Sequence, residues 1–104
     1  MLIDAPRRAV SLAEVRADGP EIQRLVRQFG VRNVRVFGSV ARGQAGAESD
    51  LDLLVDLEPG HGYLDLAGFA LVVEDLLGVF TQVATVGGLK VRIRERVLRE
   101  AVAL

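Results

Sequence analysis

The chain has no cysteine and no tryptophan, one histidine, one tyrosine and only three prolines in 104 residues. Without cysteine, disulfides and thiolate metal sites are excluded. His61 stands alone, so a multi-histidine metal cluster is excluded as well. Lysine is nearly missing: Lys90 is the single one, and the remaining positive charge is arginine. The net charge of −1 lacks the strongly basic footprint of a nucleic-acid binder, so nucleic acid is not expected as a direct ligand. No apolar run approaches the roughly 18 residues that span a bilayer. The N-terminus carries Asp4, Arg7 and Arg8 without an apolar core segment, so no signal peptide is expected. These absences set a cytoplasmic protein with no membrane contact as the expectation.

What is present is a folding composition. Half the residues are hydrophobic and 26% are charged, enough for one domain with a modest core. Residues 1–10 read as an irregular lead-in broken by Pro6. Ser11 and Glu14 fit a capping box opening a short helix over 12–17, and residues 1–18 are set apart as an N-terminal lead-in. Residues 19–104 form the main domain. Pro20 suits the first turn of a second helix, with Ile22, Leu25, Val26 and Phe29 at helical spacing and Gly30 as its stop. A short strand marked by Val34 and Val36, with Val31 as a further candidate, ends at Phe37; a helical turn near Ser39–Arg42, a strand over 51–57 and the break Glu58-Pro59-Gly60-His61-Gly62 follow. A helix over 63–77, a strand over 79–86, the turn Gly87-Gly88 and a helix to the C-terminus complete the order. Helices alternating with strands predict a layered α/β (α+β) domain with a small sheet.

Residues 34–57 hold the chemistry. Aspartate is a poor strand former, yet Asp50 and Asp52 stand two apart at the head of a strand. Residues i and i+2 point to one face about 7 Å apart, so two carboxylates converge. A hard divalent cation suits such a pair. A solvated sheet edge is the competing reading, and Leu54, of the same parity, counts against it. Asp56 shares that parity but reads as a solvated strand end. Upstream, Gly38-Ser39 follows one strand and precedes a helical turn, where backbone N–H groups and a hydroxyl can hold phosphate. A tight turn alone is the competing reading of Gly38. Gln44-Ala45 replaces the Lys-Ser/Thr that a Walker A loop needs.

Gly38-Ser39-Val40-Ala41-Arg42-Gly43 followed by Ser49-Asp50-Leu51-Asp52-Leu53 resembles the nucleotidyltransferase superfamily typified by DNA polymerase beta, and within it the minimal nucleotidyltransferase (MNT) domains. The resemblance runs from about Gly30 to the C-terminus. It implies a polymerase beta palm-like fold, a small mixed sheet with flanking helices. It implies Gly38 and Ser39 as phosphate contacts and Asp50 and Asp52 as catalytic ligands of Mg²⁺, with ATP as substrate. Arg42 joins the nucleotide-binding set, with a salt bridge pinning the loop as the favoured role. Ser49 fixes the turn into the strand. Aligned on Thr85, Gly87 and Leu89, the position of the family's third carboxylate holds Gln82, which has no charge and cannot act as a base. Similar MNT proteins pair with a HEPN-domain toxin as antitoxins, some adenylylating it. Two functions follow from the resemblance: Mg²⁺-dependent transfer of AMP to a hydroxyl of the HEPN partner, or a weak or inactive antitoxin that neutralises the partner by binding. His61 reads as a solvated loop residue, and Arg92, Arg96 and Arg99 as a solvated helix face.

Overall fold

Ser11 caps the first helix as its spacing predicts. Its hydroxyl accepts from Glu14 N and its own N–H donates to Glu14 Oε1, both at 3.1 Å. A computed structural model of the chain describes residues 9–104. The part of the lead-in over residues 1–8 lies outside the described residues. Helix α1 spans Leu12–Ala17 and α2 spans Gly19–Leu25 with Pro20 in its first turn. A 3₁₀ turn, Val26–Phe29, extends α2 to Gly30, whose left-handed φ of 64° ends it. Strand β1 (Val31–Phe37), the short helix α3 (Gly38–Ala41) and strand β2 (Leu51–Leu57) follow. Then come α4 (Tyr63–Leu77), β3 (Thr81–Ala84), a 3₁₀ turn over Val86–Gly88, α5 (Val91–Glu100) and β4 (Val102–Ala103).

The four strands form one mixed sheet in the order β3-β2-β1-β4. Strand β1 is antiparallel to β2 and to β4, and β2 is parallel to β3. The parallel register sets Asp52 opposite Gln82. Helices cover both faces. On one, Leu51, Leu53 and Val55 pack with Val36 of β1, with Phe69 and Val73 of α4, and with Val15 and Ile22 of the first two helices. Val10 and Val15 are both buried in this core. On the other face, fully buried Leu54 packs with Leu89 and Val97 beneath α5. Leu54 therefore has its own hydrophobic cover, which explains an apolar residue on the aspartates' side of the strand. No described helix is long and apolar enough to cross a membrane.

Two expectations change. The last helix does not reach the C-terminus: Ala101 is extended, with ψ at 134°, and Val102–Ala103 pairs with Arg35 and Val36 of β1. A β-branched residue gains more by closing an open sheet edge than by lengthening a surface helix. The third strand is Thr81–Ala84 and not 79–86, because Thr85 Oγ1 accepts from Gly88 N at 3.1 Å and turns the chain early. Asp56 keeps 42% of its side chain exposed, as a strand end would, but it is not left to solvent alone. Asn33, in the left-handed region with φ of 54°, makes an irregularity in β1 and donates Nδ2 to Asp56 Oδ2 at 3.0 Å. Arg35 Nη2 reaches Asp56 Oδ1 at 2.9 Å. His61 is an exposed loop residue as expected, with its ring against Gly30 and its Nδ1 3.2 Å from Asp65 Oδ2.

Candidate active site

The site lies where β1 passes into α3 and β2 begins. Strand β2 pairs with β1 so that Phe37 faces Asp52, which brings the Gly38 turn onto the carboxylate. Gly38 has φ of +74°, and a Cβ added there would overlap Asp52 Oδ2. Two independent demands, a left-handed backbone and a close approach, thus both require glycine at this position. Ser39 is the next residue and half-buried. Arg42 ends the turn, its N–H donating to Gly38 O at 3.1 Å. Gln44 N donates to Ser39 O at 2.8 Å, so the loop folds back on its own start. The hydroxyl of Ser49 accepts from Gly46 N at 3.0 Å and fixes the turn that leads into β2.

The electrostatics are those of crowded carboxylates. Burial pushes the Asp52 carboxyl up from 3.8 to about 6, Asp50 adds to the rise, Arg42 opposes it and Glu100 adds again. Two acids at the head of β2, close enough for one to raise the other and one of them short of solvent, suit a hard divalent cation. Gln82, brought alongside by the parallel β2–β3 pairing, donates its Nε2 to Asp50 Oδ2 at 2.6 Å. Its amide thus supplies a donor where a carboxylate would supply a ligand. Among the described residues no group of three acids or histidines could hold a metal ion. Asp50 and Asp52 fit such an ion as a pair, leaving the remaining ligands to substrate and water.

One residue at the site carries no mark in the sequence. Glu100, at the end of α5, accepts from Gly38 N at 2.7 Å through Oε2 and from Arg42 Nη1 at 3.0 Å through Oε1. Burial alone would raise its carboxyl, but the Gly38 N–H and Arg42 hold it below the usual glutamate range. The salt bridge expected of Arg42 therefore exists, and Glu100 is its partner. Nothing in the order of residues joins position 100 to position 38. The contact arises because β4 returns the chain beside β1 and so sets the end of α5 over the loop.

The Gly38 turn thus stands against Asp52 where β2 begins, with the charge of Asp50 acting on the same carboxyl. The chain belongs to the nucleotidyltransferase domain family, whose model matches residues 21–104. It is 41% identical over 75 residues to the protein adenylyltransferase MntA of Thermococcus cleftensis, covering 72% of this chain and 76% of that one. A solved structure described as a minimal nucleotidyltransferase is 47% identical, with a TM-score of 0.79, over 91% of this chain and 97% of its own. A toxin–antitoxin complex with AMP-PNP shares the fold at a TM-score of 0.67 and 16% identity, over 81% of this chain and 69% of that chain.

Proposed function

We propose that the chain transfers AMP from ATP to a hydroxyl of a partner protein, a HEPN-domain toxin, and thereby acts as its antitoxin. The observation that carries this reading is the Gly38–Asp52 apposition: a phosphate-binding turn held against a carboxylate whose charge is raised in energy by burial and by Asp50. Support for a protein acceptor comes from the relative named protein adenylyltransferase. Support for a toxin partner comes from the toxin–antitoxin complex that shares the fold.

In this reading Asp50 and Asp52 hold Mg²⁺, which supplies charge neutralisation to the triphosphate. The Gly38-Ser39 turn receives phosphate oxygens. The acceptor hydroxyl attacks the α-phosphorus, the bond to the bridging oxygen of the β-phosphate breaks, and pyrophosphate leaves. Gln82 cannot take the hydroxyl proton, which passes to solvent.

The Gln82–Asp50 hydrogen bond favours a second reading, an antitoxin that neutralises by contact with weak or no transfer. Incubation of the chain and its toxin with Mg²⁺ and labelled ATP, beside a Gln82→Asp variant, separates the two. Label on the toxin from the unaltered chain supports the enzyme. Label from the variant alone, with the unaltered chain still neutralising, supports the second reading. Neutralisation with no label from either protein refutes transfer.

A further inference from the structure

We propose that Glu100 is an internal stand-in for a nucleotide phosphate, and that a triphosphate binds by displacing it from Gly38 N–H and Arg42. The proposal rests on the nucleotide site described above. It follows from where the two oxygens of Glu100 go. One takes the Gly38 N–H at 2.7 Å and the other takes Arg42 Nη1 at 3.0 Å. A backbone N–H and a guanidinium flanking one anion satisfy two oxygens of a phosphate equally well. The side chain is only 15% exposed, so this is a seated group and not a passing surface contact.

The placement is otherwise unfavourable. A carboxylate in the last turn of α5 faces the negative end of the helix dipole. It also adds to the repulsion at Asp52. What it gains is a partner for a buried backbone donor: Gly38 is buried, and an unpaired N–H there would carry the full desolvation penalty. A phosphate oxygen removes that need. Glu100 can then turn outward by rotating its own side chain, because it sits at a helix end with Ala101 already extended. Glu100 thus sets the affinity for the triphosphate: the ligand gains two donors but must first release a carboxylate from them.

The test uses the full chain, its Glu100→Gln and Glu100→Ala variants, ATP with Mg²⁺, and inorganic tripolyphosphate. Glu100→Gln keeps an oxygen for Gly38 N–H and removes the charge, so it retains the fold if Glu100→Ala does not. The expected result is ATP affinity about 5- to 10-fold tighter in the folded variants by calorimetric titration. Tripolyphosphate should also raise the melting temperature of Glu100→Ala more than that of the unaltered chain, because it fills the place left at Gly38. Equal or weaker ATP binding in every folded variant, with no extra stabilisation by tripolyphosphate, overturns the proposal and leaves Glu100 as a pin for the loop. If the unaltered chain and all variants ignore ATP while tripolyphosphate still favours Glu100→Ala, the nucleotide reading fails and the stand-in survives.

Discussion

Replacing Asp52 by asparagine should stabilise the protein at neutral pH, although it removes a carboxylate proposed as a metal ligand. Burial holds the Asp52 carboxyl at about 6, against 3.8 for a free side chain, with Asp50 and Glu100 adding to the rise and Arg42 opposing it. The folded state therefore binds more protons than the unfolded chain between those two values. Stability must then fall as pH rises through this window. The full shift corresponds to on the order of 3 kcal/mol. Partial contact of Asp52 with solvent reduces that to about 2 kcal/mol at pH 7. Asparagine resembles the protonated acid in size and charge, so the Asp52→Asn variant should match the unaltered chain near pH 3.5 and exceed it progressively above pH 5. In a domain of this size about 2 kcal/mol is roughly 10 °C in melting temperature. Thermal melts in EDTA, from pH 3.5 to 8, measure the difference directly. Mg²⁺ with ATP should narrow the gap by stabilising only the unaltered chain. Parallel pH profiles for the two proteins would refute the claim that Asp52 is a strained carboxylate.

Gly38→Ala should lose on the order of 2–3 kcal/mol, since both the φ of +74° and the overlap with Asp52 Oδ2 oppose a Cβ; urea unfolding measures the loss, and nucleotide binding should vanish with it. Leu54→Ala should lose about 3 kcal/mol by opening a cavity under α5, and hydrogen exchange over residues 91–100 should accelerate more than over α4. Asp65 has its carboxyl held below the ordinary range by the Gly62 N–H, against a small effect of burial and with help from His61. Its stabilising effect should be present above the unfolded value and disappear as pH falls through the lower folded one, so Asp65→Asn should flatten the acid limb of the stability profile.

The helices and the two central strands were legible because their signals are local. The capping pair Ser11 and Glu14, the stop at Gly30 and the alternation over 51–57 each act within a few residues. The family signature added the fold and the two aspartates. What was not legible depends on distant pairing. Val102 belongs to a helical apolar stripe by spacing, and only the open edge of β1 recruits it into a strand. Asp56 looks solvated until Asn33 turns left-handed and Arg35 swings across. Glu100 reads as one more charge on an arginine-rich helix, because its two partners are about sixty positions away. Asn33 was the one recoverable signal: asparagine inside a run of strand formers marks a residue that tolerates positive φ.

Gln82 stands where the family resemblance implies a third carboxylate. In register with Asp52 on the neighbouring parallel strand, a third carboxylate would join Asp50 and Asp52, and Arg42, which opposes the rise at Asp52, is already engaged by Glu100. A metal ion would then be needed to hold the acids together. The amide of Gln82 instead donates directly to Asp50 Oδ2, doing for one carboxylate what a bound cation does for several. On the proposed reading, such a site would give up a ligand for a second ion and a base for the hydroxyl proton. On the same reading, the Gln82 amide would brace Asp50 beside the Gly38–Asp52 apposition without a metal ion, while transfer would rest on Asp50 and Asp52 alone.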